Sequence, residues 1–212
     1  MRWLMGLALI AATASAQDAA YKLVVSYDRP GLNVPHWEIV VPPRGMAEYT
    51  GKPVKGNDPG TVPFKMTESG RAKLAAWIEK SNGMKPCETK SKGIANMGQK
   101  QIVYTPASGE ALTCSYNYTE NKALGEVFEY LLGVADTVQA GVELERLHKY
   151  DRLGLDPVMV RLADEAKAGK AVEVGSIRPV LENLVSDPLV LERVRVRAQQ
   201  LLELAKVQDA AQ

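Results

Sequence analysis

Side chains able to act on a substrate gather at one place in this chain. His148, Lys149, Tyr150, Asp151 and Arg152 stand together just before Gly154, with Asp156 close behind. An imidazole titrates near neutral pH, and a guanidinium offers a bidentate anion site. If His148, Asp151 and Arg152 lined a cleft between two halves of the chain, His148 would supply a titrating group and Arg152 an anion site, as a hydrolase there would need. The same residues have an architectural use. Cations at a helix C-terminus complement the macrodipole, and an Asp–Arg pair can fix the turn that follows. A second group lies in β-type sequence: His36 and Trp37, with Tyr116 and Tyr118 further on. Aromatic side chains on an open sheet face would receive a protein, envelope or glycan partner; turned inward they are core.

Other motifs do not assemble a chemistry. Gly93 and Gly98 have the glycine spacing of a phosphate-binding loop, but Gln99-Lys100 follows where Lys and then Ser or Thr are required. His36 and His148 are the only histidines, and no paired-ligand spacing for zinc or Asp-rich loop for calcium occurs. Neither the Gly-x-Ser-x-Gly elbow nor a Ser-x-x-Lys signature is present. No cofactor and no metal are therefore expected. Arg193, Arg195 and Arg197 alternate with valines in the last helical stretch, which reads as a solvated face with salt bridges.

The N-terminus carries a different kind of information. Arg2, an apolar run from Trp3 to Ala12 and the small-x-small site Ala14-Ser15-Ala16 have the order of a cleavable secretory signal, residues 1–16. That run is shorter than the roughly 20 residues needed to span a bilayer. Beyond residue 16 the chain holds 25 basic and 25 acidic residues. Such a balance lacks the one-sided charge of a nucleic-acid binder, and no later stretch reads as a transmembrane segment. Cys87 and Cys114 are the only cysteines. In an oxidising compartment such a pair forms one disulfide. The chain thus reads as exported to a bacterial periplasm or the extracellular space. Its oligomeric state is not written in the sequence.

The elements that must position these residues change character near residue 120. Tyr21–Tyr27 and His36–Val41 alternate with period two, and Pro42 to Gly45 makes a turn from which residues 46–50 return. Residues 51–63, rich in Pro and Gly, read as loop. Thr67 caps a helix to about Ser81, with Leu74, Trp77 and Ile78 on one stripe. Residues 101–105 and 112–118 form a second hairpin. Beyond Glu120, Leu124, Phe128, Leu131, Ala135, Val138 and Val142 step by fours and threes as one long helical seam, interrupted by Gly125, Gly133 and Gly141. Asp156-Pro157, Ser176 and Asp187-Pro188 each read as the start of a further helix.

Residues 177–188, with Val194-Arg195 beyond them, resemble one helical HEAT-type repeat. A solenoid needs about three copies. With a single copy the likeness amounts to a helix hairpin and identifies no family. The expected fold is α+β: an antiparallel sheet with one covering helix and one disulfide over 17–119, then about four helices over 120–212. The expected role is non-enzymatic binding, with a hydrolase near His148 and Asp151 as the alternative.

Overall fold

A computed structural model describes residues 21–54, 59–90, 93 and 95–210; the signal sequence read over 1–16 lies outside them. Six strands form one antiparallel sheet: β1 (Tyr21–Asp28), β2 (His36–Val41), β3 (Ala47–Lys52), β4 (Thr61–Phe64), β5 (Gln99–Pro106) and β6 (Leu112–Tyr116). Their order is β4-β3-β2-β1-β5-β6. Helix α1 (Glu68–Lys80) lies between β4 and β5 in the chain, and α2 (Lys122–Tyr150), α3 (Leu155–Lys167), α4 (Arg178–Ser186) and α5 (Glu192–Ala210) follow the sheet. The fold is α+β, as the segregated patterns predict.

Period-two alternation sends one set of side chains to the core. Leu23, Val25, Ile39, Val41, Tyr49, Ile102 and Cys114 are buried on a single face, where Leu74 and Ile78 of α1 and the first half of α2 cover them. Thr67 caps α1, its hydroxyl accepting from Gly70 N at 3.0 Å. The Cys87–Cys114 disulfide pins the connection after α1 onto β6.

Three local expectations are corrected. Residues 61–64 are not loop but the edge strand β4, paired to β3. An edge strand tolerates Pro63, because a missing N–H on the outer side breaks no ladder. Asp187-Pro188 does not open the last helix: Asp187 ends α4, its carboxylate accepts from Leu189 N at 2.8 Å, and α5 begins at Glu192. Ser176 caps nothing; α4 starts at Arg178 behind a short 3-10 turn, and the Ser176 hydroxyl is buried without a partner.

Helix α2 belongs to both halves. Its residues up to Val138 lie in the sheet core, whereas Ala140, Leu144 and Leu147 lie in a second core with α3, α4 and α5. The buried seam therefore turns past Val138, leaving Val142 only partly buried. Its glycines have separate reasons. A Cβ at Gly133 would stand 2.6 Å from the Lys170 carbonyl oxygen and one at Gly141 would overlap Ile177, while Gly125 has open space. Two of them thus admit neighbouring chain and one does not.

A buried carboxylate ties the halves together. Glu173, in left-handed backbone at φ 54°, accepts from Thr67 N and Thr67 Oγ1 at 2.8 Å each and from the Tyr130 hydroxyl at 2.5 Å. A negative charge from the helical half thus sits at the N-terminus of α1, where the helix dipole favours it.

A cleft between sheet and helices as candidate functional site

The polar face of α2 supplies one wall of a cleft of about 850 Å³. Leu132, Asp136, Gln139, Glu143, Arg146 and Tyr150 step by four and three, so they share one stripe at 3.6 residues per turn. Arg161 and Glu165, one turn apart on α3, face the same space. The sheet contributes Trp37 of β2 and Tyr49 and Gly51 of β3; Leu32, Asn33 and Val34 before β2 and Pro53 and Pro59 beyond β3 complete the lining. The volume falls within the range of small-molecule sites.

Tyr49 reaches this cleft because Gly51 has no side chain. The Tyr49 ring lies along its own strand over Gly51, in the space a Cβ there would need. Tyr49 is 1 % exposed, and its hydroxyl has no hydrogen-bond partner among the described residues. Desolvation, with the nearby Asp136 charge adding to it, raises the Tyr49 pKa far above its ordinary value.

Asp136 is the other unusual group. Water touches its surface, yet the concave wall places protein on several sides of the carboxylate. Desolvation, followed by repulsion from Glu165, pushes its pKa up to about 6, against an opposing pull from Arg161. Arg161 is itself engaged with Glu143 at 3.1 Å. The cleft therefore holds two carboxylates, Asp136 and Glu165, not matched by that ion pair. Among the described residues no three His, Cys, Asp or Glu side chains are placed to share a metal ion.

The structure separates the residues that the sequence groups around His148. His148 Nε2 and Asp187 Oδ2 are 2.8 Å apart, and Arg152 approaches the same Asp187 oxygen at 3.5 Å. Asp151 turns to its own loop and accepts from Gly154 N at 3.2 Å. The cluster converges on Asp187, the turn between α4 and α5, and among the described residues no hydrogen bond or ion pair joins His148 to Asp151. His148 lies two residues from Arg146, about 200° around the helix, and so points away from the cleft stripe.

The aromatic group also divides. Trp37 and Tyr116 are 3 % and 2 % exposed, Tyr118 is 40 % exposed beyond the end of β6, and His36 on the outer face meets Asp28 at 2.6 Å. Tyr116, with Tyr27 and Phe128, surrounds the ammonium of Lys100 at 5.7, 5.6 and 5.0 Å from the ring centres. Lys100 Nζ donates to the Asn117 carbonyl at 2.9 Å, and burial lowers its pKa. Such rings stabilise a desolvated cation. Trp37 instead stacks on Phe128 and lends one edge to the cleft. The inner aromatic face is closed core, apart from that edge.

The arginines near the C-terminus meet an unforeseen partner. Arg193 and Arg197 both bind Asp156, at 3.0 and 2.7 Å, tying α5 to the start of α3.

No motif in the sequence marks Asp136, Tyr49, Arg161 or Glu165. The one available signal is the polar stripe on α2, which by itself describes a solvated helix face. No family model, curated protein or solved structure matches this chain.

Proposed function

We propose that this chain is an exported, non-enzymatic binding protein whose ligand sits in the cleft between the sheet and the helical half. The observation that carries this reading is the junction itself: a concavity of ligand size, lined by apolar and charged groups, with the unpartnered Tyr49 hydroxyl at its sheet wall. Export is supported by the signal-like order of residues 1–16 and by the disulfide, a bond that persists in oxidising compartments. No helix of the described residues is long and apolar enough to cross a membrane.

Two measurements test this reading. Intact-mass analysis of the chain after expression with its own N-terminus should find a product beginning at Gln17; an unprocessed chain beginning at Met1 would remove the export step. Thermal-shift screening of small polar ligands should find stabilisers whose effect is lost in Gln139→Trp, which fills the cleft from α2. Stabilisation retained in that variant would place binding elsewhere.

A second reading draws on Asp136 alone. A carboxyl that titrates near pH 6 beside another carboxylate is suited to general-acid catalysis, and a hydrolase between the halves would use it in place of His148 and Asp151. Hydrolysis of a model ester or glycoside, abolished in Asp136→Asn and unaffected in His148→Ala, would favour the enzyme over the binder.

A further inference from the structure

We infer that the ligand of this cleft is an organic cation that donates N–H hydrogen bonds, a protonated amine or a guanidinium, held by Asp136, Glu165 and the Tyr49 hydroxyl. The inference rests on the cleft-binding reading and names the chemistry of its ligand. Two observations carry it independently. First, the ion pair of Arg161 with Glu143 removes one charge of each sign from the lining, so that Asp136 and Glu165 face the cleft against Arg146. Arg146 and Tyr150 are exposed at the α2 end of the stripe, ten and fourteen residues beyond Asp136. Second, Tyr49 lines the opposite, sheet-side wall, its ring buried and its hydroxyl without a protein hydrogen-bond partner among the described residues.

Chemistry narrows the choice further. A hydroxyl oxygen can accept from an ammonium or guanidinium N–H, as can both carboxylates. An anion would add repulsion to two carboxylates that already repel. A metal ion would need its oxygen ligands to converge, and among the described residues they do not. An N–H cation bridges acceptors that stand apart, because its donors spread over several directions. The partly apolar lining, from Leu132, Val34 and the edge of Trp37, suits a hydrocarbon or aromatic body behind the charged head.

The test uses matched probes on the full chain, expressed with its own N-terminus and labelled for amide NMR. The probes are 2-phenylethylamine, agmatine and the neutral isostere 2-phenylethanol. Expected are saturable shifts at the amides of Gly51 and residues 136–143, with the amine binding about tenfold or more tightly than the alcohol, the factor a charge-assisted contact supplies. Asp136→Asn and Glu165→Gln should each erode that preference, and Tyr49→Phe should weaken the amine by roughly threefold, a modest hydrogen-bond loss. Equal binding of amine and alcohol at these amides would overturn the cation assignment and leave the cleft reading intact. No shift at these amides from any probe at millimolar concentration would overturn both. Three separate variants guard against one of them failing to fold, and each is checked by its unchanged spectrum outside the cleft.

Discussion

Replacing Glu173 tests whether one buried carboxylate holds the sheet half and the helical half in register. Its three accepted hydrogen bonds come from Thr67 N, Thr67 Oγ1 and Tyr130, and the residue is 3 % exposed. Charge-assisted bonds contribute roughly 1.5–3 kcal/mol each, offset by the desolvation of the carboxylate. Truncation to alanine loses these bonds and strands the Thr67 amide and the Tyr130 hydroxyl in a hole. Glu173→Ala should therefore cost about 3–5 kcal/mol, as for other broken buried charge networks. Glu173→Gln keeps the volume and one acceptor but turns an NH₂ toward donors, so a loss of about 2 kcal/mol is expected. The backbone gives an internal control. At φ 54° a residue with a Cβ is strained by about 1 kcal/mol, so Glu173→Gly should be less destabilised than Glu173→Ala despite removing the same carboxylate. Urea titration with the disulfide intact measures all three, and a double-mutant cycle with Tyr130→Phe isolates the Tyr130–Glu173 coupling. A loss below about 1 kcal/mol in Glu173→Ala would refute the latch, because that is the cost of an ordinary surface contact. Glycine proving less stable than alanine would refute the strain argument separately.

The raised pKa of Asp136, about 6 when folded against 3.8 ordinarily, means that the folded chain binds more protons than the unfolded chain between those values. Stability should therefore fall as pH rises from about 4 to 6, and Asp136→Asn should flatten that slope and stabilise the protein at pH 7. With solvent access discounted, the effect is on the order of 1 kcal/mol, read from urea midpoints at pH 4.5 and 7.5. Replacing Cys87 and Cys114 by serine should cost about 3–4 kcal/mol from a crosslink of sequence separation 27, measured against the oxidised wild type; an unchanged urea midpoint would contradict it. The α2 glycines should diverge. Gly125→Ala gains about 1 kcal/mol of helix propensity, whereas Gly133→Ala meets the Lys170 carbonyl and loses about 1–3 kcal/mol by overpacking. Paired thermal melts decide this, and a shift of the same sign in both would contradict it.

Much of the architecture was legible because it depends on local periodicity. Alternation over 21–27 and 36–41, the Thr67 cap and the 3–4 stepping through α2 each state a backbone preference within a few residues, and a lone cysteine pair leaves only one pairing to make. Strand β4 was not legible, since Pro and Gly weaken every local strand signal and only pairing with β3 makes 61–64 extended. Capping signals misled at Ser176 and Asp187 for the same reason. A side chain that can cap will do something else when tertiary packing starts the helix a turn later.

The candidate site divides along that line too. Sequence alone determined that Asp136, Gln139, Glu143 and Arg146 share a helix face, that Tyr49 belongs to a strand, and that His148 neighbours Asp151 in the chain. Only the tertiary structure decided which of these meet. The closure of α3 and of the loops before β2 and after β3 around the α2 stripe turned a solvated face into a cleft and raised the Asp136 pKa through partial desolvation, a quantity no neighbouring residue encodes. The turn between α4 and α5 brought Asp187, thirty-nine residues away, to His148 and left Asp151 to its own loop. Helical phase explains the outcome: groups one or two residues apart point in different directions, and a distant chain segment completes the contact that adjacency in sequence only imitates.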